Sequence, residues 1–256
     1  GFLYDEGQGV EEDYNKAREY YEKAAELDNS NALRNLGVLY DEGHGVEQDY
    51  NKAREYYEKA AELGNTDALC SLGSLFDEGH GVEQDYDKAR EYFEKAAELD
   101  NTTAIRYLGF LYYDGQGVEQ DYNKAREYYE KAAELGDADA LRNLGVLYER
   151  GQGVEQDGNK AREYFEKSAE LGDSIALYTL GSIYQNGQGV EQDCNKAREY
   201  YEKAAELNNA DAIRCLGFLY HYGQGVEEDY KKAREYFEKA AELGDADALY
   251  NLGVLY

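Results

Sequence analysis

The chain has 256 residues, with 55 acidic against 27 basic side chains and a formal charge of −28. A field of that sign repels phosphate backbones and anionic bilayers, which argues against nucleic acid as a partner. No apolar stretch approaches the roughly 20 residues that cross a bilayer, so membrane insertion of this segment is not expected either.

Cut before Gly1, Gly37, Gly73, Gly109, Gly145, Gly181 and Gly217, the sequence falls into seven copies of 36 residues without an insertion. They are 1–36, 37–72, 73–108, 109–144, 145–180, 181–216 and 217–252, and residues 253–256 begin an eighth. A fixed period of this length marks an array of small supersecondary units, each too small to bury its own apolar face. The expectation is one domain over 1–256. The excess charge, −28 over seven copies, is about −4 in each and is not held in a tail. Both ends of the chain fall inside a predicted helix, so the chain is expected to be a piece of a longer array. The opening GFLYDEGQGVEED lacks the basic start and apolar centre of a signal peptide, although one placed further upstream would not be seen.

Within one period the elements come in a fixed order. Helix A is predicted from Ala32 to about Glu42, with Ala32, Leu33, Leu36, Leu39 and Tyr40 on its buried stripe. Gly37 in its middle costs roughly 1 kcal/mol of helix propensity, and its recurrence in every copy predicts a helix crossing too close for a side chain. The loop GHGVEQD follows: Gly43 ends helix A, Gly45 turns the chain, and Val46 is expected beneath the turn. Helix B then runs from Tyr50, capped by Asp49, with Tyr50, Ala53, Tyr56, Tyr57, Ala60, Ala61 and Leu63 on one face and Gly64 as the left-handed stop. Pairs such as Arg54 with Glu58 solvate its outer face. The fold class is therefore all-α, a right-handed α/α superhelical solenoid of seven helix-turn-helix repeats plus a partial eighth.

The string ALRNLGVLY at 32–40, followed by GHGVEQDYNKAREYYEKAAEL at 43–63, resembles the Sel-one-like repeat, a relative of the tetratricopeptide repeat with a longer unit. The resemblance covers the chain seven times over. The tryptophan common early in the second helix is here Tyr20, Tyr56 or Tyr92, and the proline common in the loop is Glu11, Glu47 or Glu83. The resemblance implies a non-catalytic adaptor that holds other proteins together, as such proteins do in quality control, cell-wall synthesis control and bacterial interactions with hosts.

Residue chemistry gives no competing reading. The Gly-x-Gly loop lacks the third glycine and the preceding strand of a dinucleotide site, and carboxylate pairs such as Glu47 with Asp49 are tiled, not unique. His44 and His80 sit one repeat apart without a third ligand, so neither a metal nor a cofactor is predicted. Cys70, Cys194 and Cys215 do not recur from copy to copy, which builds no disulfide ladder and favours free thiols and a cytoplasmic setting, with localisation otherwise open. Asn101-Thr102-Thr103 is read as a chance glycosylation sequon.

Copies differ mainly at helix A positions that the buried stripe leaves free, a face expected to line the concave surface. In chain order the candidate protein-binding residues are Arg34, Arg106, Tyr107, Phe110, Tyr113, Arg142, Tyr178, Arg214, Phe218 and Tyr250, a mixture of arginine and aromatics found at binding hot spots. The expected partner is a protein or peptide, with carboxylates on the arginines and apolar side chains on the rings. The alternative is a spacer or an end-to-end self-associating array with an incidental groove. Part of the variation is history: Phe110, Val146, Ser182 and Phe218, Val254 repeat every third copy, as a duplicated block of 108 residues would. A weak seam is expected in the fifth and sixth repeats, where Gly158 and Cys194 replace the first tyrosine of helix B and Ser168 replaces a buried alanine.

Overall fold

A computed structural model of the chain describes residues 13–255. Residues 1–12 and 256, and with them the helix ends expected to be cut there, lie outside the described residues. Between these limits there are fourteen α-helices and no strand. The helices of type B are α1 Tyr14–Ala25, α3 Tyr50–Glu62, α5 Tyr86–Ala97, α7 Tyr122–Glu134, α9 Gly158–Glu170, α11 Cys194–Glu206 and α13 Tyr230–Glu242. Those of type A are α2 Ser30–Glu42, α4 Thr66–Glu78, α6 Thr102–Asp114, α8 Ala138–Arg150, α10 Ser174–Asn186, α12 Ala210–Tyr222 and α14 Ala246–Leu255.

The ends of these helices follow from their caps. Before α3 the Asp49 carboxylate accepts hydrogen bonds from the Asn51 and Lys52 amides, and before α2 the Asn29 side chain accepts one from the Ala32 amide. That asparagine starts helix A two residues earlier than its apolar periodicity suggests. Gly43 closes α2 at φ 74°. Gly64, just past α3, has φ 81°, and Asp28, Asp100 and Asn208 hold the same left-handed position in other copies at φ 56–57°. These short polar residues tolerate that conformation better than other non-glycine side chains do. In the loop, Gln48 Nε2 donates to the Asp41 carbonyl at 2.7 Å, and Gln84, Gln120, Gln156 and Gln192 repeat the bond at 2.7–2.8 Å.

The core is built of Ala53, Tyr57 and Ala60 on helix B against Leu33 and Leu72 of the helices A on either side. Gly37 is small for a measurable reason: a Cβ there would stand 2.4 Å from Tyr57 Cε1, and Gly73, Gly145, Gly181 and Gly217 face Phe93, Phe165, Tyr201 and Phe237 at 2.5–2.6 Å. The close neighbour at each crossing is thus one aromatic ring, whose burial stabilises the pair by about 1.5–3 kcal/mol. Two expectations are corrected. Val46 is only half-buried, and Leu63 is 47% exposed, as are its equivalents Leu27, Leu99, Leu135, Leu171, Leu207 and Leu243 at 44–83%. The helical period puts these leucines on the apolar face, but they fall just past the end of each helix B and stay largely exposed.

The chain divides into two compact units, 1–128 and 129–256, with the division inside α7. In each unit every helix packs on its sequence neighbours, α1 through α6 in the first and α8 through α14 in the second. Each unit is a run of stacked helix pairs, the arrangement of an α/α solenoid.

Candidate functional site

The helix A positions left free by the buried stripe form a half-buried face in each unit. In the first unit it carries Arg34, Arg106, Tyr107, Phe110 and Tyr113; in the second, Arg142, Tyr178, Arg214, Phe218 and Tyr250. Four of the six aromatic members, Tyr107, Tyr113, Tyr178 and Phe218, rest on rings of helix B. Tyr107 stacks on Phe93 at 5.0 Å between centroids, and the Arg106 guanidinium lies 5.1 Å from the Tyr107 ring centroid. Tyr113 meets Tyr122 edge-on at 5.4 Å, Tyr178 lies 6.0 Å from Tyr201, and Phe218 meets Phe237 edge-on at 5.1 Å. Phe110 and Tyr250 are exposed. A constant ring on helix B therefore orients several of the variable residues on helix A.

The arginines divide into two kinds. Arg142 Nε donates to Asp173 Oδ2 at 2.6 Å, and a second nitrogen of the same guanidinium bonds Asp139 one turn back on α8. Arg214 makes the same pair of contacts, to Asp245 at 2.8 Å and to Asp211. Asp173 and Asp245 are the N-cap residues of the next helix A, so each arginine ties one repeat to the following one. Burial opposes the charge on both guanidiniums, yet the paired carboxylates outweigh it and raise their pKa values. Arg34 differs. Its next cap is Asn65, its Nη1 donates to Asn35 Oδ1 at 3.3 Å, and its buried Nε has no hydrogen-bond partner among the described residues.

Sequence reading missed Asp139, Asp173, Asp211 and Asp245. The signal was present: Asp in place of Asn caps the helix 31 residues after Arg106, Arg142 and Arg214, while Asn follows Arg34 at the same distance. Ser168, expected as a defect, is fully buried with its hydroxyl 2.7 Å from the Ala138 carbonyl and 2.9 Å from Asp173 Oδ2. It joins the Arg142–Asp173 network and is no packing deficit.

The remaining singled-out residues are absorbed into the scaffold. His44 and His80 stack on Tyr14 and Tyr50 at 4.6 Å. A Cβ on the second loop glycine at 45, 81 or 117 would lie 2.5–2.7 Å from the Cβ of Tyr14, Tyr50 or Tyr86, so this loop turns against the start of the preceding helix B. Burial pushes the Cys70 thiol up to about 12, far from a reactive thiolate, and all three cysteines are free thiols. Asn101 caps α6 through its Oδ1 and donates from Nδ2 to Asp67 at 2.8 Å, which uses the side chain of the sequon. No helix among the described residues is long and apolar enough to cross a membrane.

Stacked helix pairs with a variable face and an invariant support define a tandem α-hairpin repeat protein. The chain belongs to the Sel1 repeat family, whose model matches residues 1–29, 30–65, 66–101, 102–137, 138–173, 174–209, 210–245 and 246–256. From residue 30 on, these family units begin where helix A begins. Members of the family are generally non-catalytic and serve as protein-interaction scaffolds. A Sel1 repeat protein from Oxalobacter formigenes is 35% identical over 85% of this chain and 89% of its own, with a TM-score of 0.77. A protective antigen of uropathogenic Escherichia coli that displays an SLR fold is 39% identical over the whole chain, with a TM-score of 0.66; this chain covers 55% of its length. An immunity protein from Pseudomonas aeruginosa, 24% identical over 86% of this chain and 83% of its own with a TM-score of 0.62, shares the fold. No curated protein sequence matches the chain.

Proposed function

We propose that the chain is a non-catalytic adaptor that binds a protein or peptide along the helix A face. The observation that carries this reading is that side chains on this face change from copy to copy while the rings beneath them, from Phe93 to Tyr201 and Phe237, stay aromatic. Rigid aromatics held on a fixed support present contact area at low entropic cost. The arginine roles are narrower than the sequence suggests. Arg142 and Arg214 already hold carboxylates of their own chain, so in the second unit recognition rests on Tyr178, Phe218 and Tyr250. In the first, Arg34 is the arginine that offers its charge to a ligand carboxylate.

The test is partner capture on the immobilised chain, read beside sedimentation of the same variants. Arg34→Glu and the pair Phe110→Ala with Tyr178→Ala should each reduce capture at least about tenfold, a loss of about 1.4 kcal/mol, while Arg54→Glu on helix B should not. Equal losses from Arg34→Glu and Arg54→Glu would assign binding to net charge. A change in sedimentation with unchanged capture would favour the self-associating array.

A further inference from the structure

The row of exposed leucines at the ends of helices B has no role in the helix A face. Each of three clefts lies between the last turns of two successive helices B and has one of these leucines on its border. In the first unit a cleft of about 500 Å³ has Ala25, Leu33 and Leu36 on its floor, and Tyr56 and Leu63 on its border. In the second unit two clefts repeat this plan. One of about 450 Å³ has Ala169 and Leu177 beneath Tyr200 and Leu207, and one of about 560 Å³ has Leu141 and Leu144 beneath Leu171.

Their rims share one charge sign. The first is lined by Glu22, Glu26, Asp28 and Glu62 against a single lysine, Lys59. The next is lined by Glu166, Glu170 and Glu206 against Lys203. Lys59 and Lys203 lie 5.7 and 5.8 Å from the Tyr56 and Tyr200 ring centroids, so each ammonium already faces a π-surface of its own chain. What a visitor meets is an apolar floor, an exposed leucine and a fringe of carboxylates. Scattered exposed leucines are ordinary on protein surfaces. A leucine repeated in register beside an apolar cleft is a different feature, because a partner side chain can bury both at once.

We propose that these clefts dock a basic segment of a partner protein, one that inserts leucine-like side chains between the helix B ends and sets lysine or arginine against the rim. Charge complementarity selects this occupant. A second copy of the chain would bring −28 against −28, whereas a basic amphipathic segment gains attraction at the rim and apolar burial on the floor. Recurrence adds to this, since a segment engaging two clefts gains by effective concentration without any new type of contact.

The probe is a synthetic amidated lysine-rich peptide with leucines at i, i+4 and i+7, titrated calorimetrically into the whole chain beside a peptide of equal charge with serine for leucine. The leucine peptide should bind at least about tenfold tighter. The combined variant Leu63→Ser, Leu171→Ser and Leu207→Ser alters exposed positions only and should abolish that preference while keeping the native melting temperature. Glu55→Lys, Glu163→Lys and Glu199→Lys, away from the clefts, should leave it intact. Equal binding of the two peptides to the unaltered chain would overturn the proposal in favour of general polyanion behaviour. So would an unchanged leucine preference in the triple leucine variant, or self-association of the unaltered chain that this variant removes, which would make a second copy the occupant. Loss of capture by Arg34→Glu or by Tyr178→Ala has no bearing on this result, so the two surfaces succeed or fail separately.

Discussion

At Asp41 the Tyr57 hydroxyl donates a hydrogen bond to the carboxylate at 3.0 Å. Burial raises the pKa of both groups. One repeat on, the corresponding ring is Phe93, and Asp77 Oδ1 is buried with no hydrogen-bond partner among the described residues. Four repeats further on, Phe237 and His221 stand at the corresponding positions, and the buried His221 Nδ1 has no hydrogen-bond partner among the described residues, whereas Tyr201 donates to Gln185 at 2.7 Å. Phe93→Tyr should therefore stabilise the chain by about 1 kcal/mol, the net worth of one hydrogen bond, read as a higher urea midpoint. The pH dependence has a definite sign. Burial, then the neighbouring Glu78, raises the pKa of Asp77 in the folded state. Its contribution to stability is thus fully present below the unfolded carboxyl value near 3.9 and is lost as pH rises through the folded value. The tyrosine donor favours the charged form, so the gain from Phe93→Tyr should be largest at neutral pH and shrink in acid.

Between elements, the Arg–Asp ties separate two jobs done by one residue. Asp173 caps α10 and also holds Arg142, while Asn65 and Asn101 cap their helices equally well without an arginine. Asp173→Asn should keep the cap and lose the tie, at a cost of about 1.5–3 kcal/mol in chemical denaturation, the range of a hydrogen bond to a charged group. At Asp245, burial disfavours the charge, but Arg214 and the Ala248 amide prevail and lower its pKa. Its contribution is present above the unfolded carboxyl value and lost as pH falls through the folded one. Asp245→Asn should accordingly lose less stability than the unaltered chain on acidification through that range. Among the described residues, helix order and most helix limits were legible because period and caps act locally: Asp49, Gly43 and Gly64 do what their chemistry dictates wherever they stand, and only the Asn29 cap moved a helix A start. The half-exposed leucines were not legible, since a periodicity names a face without saying where its covering helix stops. The Arg142 tie lay in between, written as an aspartate 31 residues away but visible only once neighbouring repeats are set side by side.

Over the whole molecule, stability is close to a sum of repeats and their interfaces, so local gaps are not averaged away. The proposed seam narrows to the Gly158 site. Ser168 is hydrogen-bonded to Ala138 and Asp173, but Gly158 leaves its surroundings empty: a Cβ on it, or on the loop glycine Gly189 one repeat later, would meet nothing within 4 Å. At the equivalent places Gly45, Gly81 and Gly117 press against a tyrosine. Amide exchange should be faster at the start of α9 and in the loop near Gly189 than at the equivalent sites in the first unit, and Gly158→Tyr should slow it in both places. Retained fast exchange in that variant would move the seam elsewhere. The Arg142–Asp173 tie also bears on how such an array can change. Genes made of near-identical tandem segments gain and lose whole copies by unequal crossing-over, and uniform contacts such as Gly37 against Tyr57 survive any such exchange. Copies carrying an arginine and its aspartate do not commute freely: inserting an asparagine-capped copy after Arg142 would set it beside a neutral cap, whereas inserting an aspartate-capped one would keep the tie. A few charged pairs therefore bias which copies can stand side by side, and a rearrangement keeps the tie only where an arginine still precedes an aspartate-capped copy.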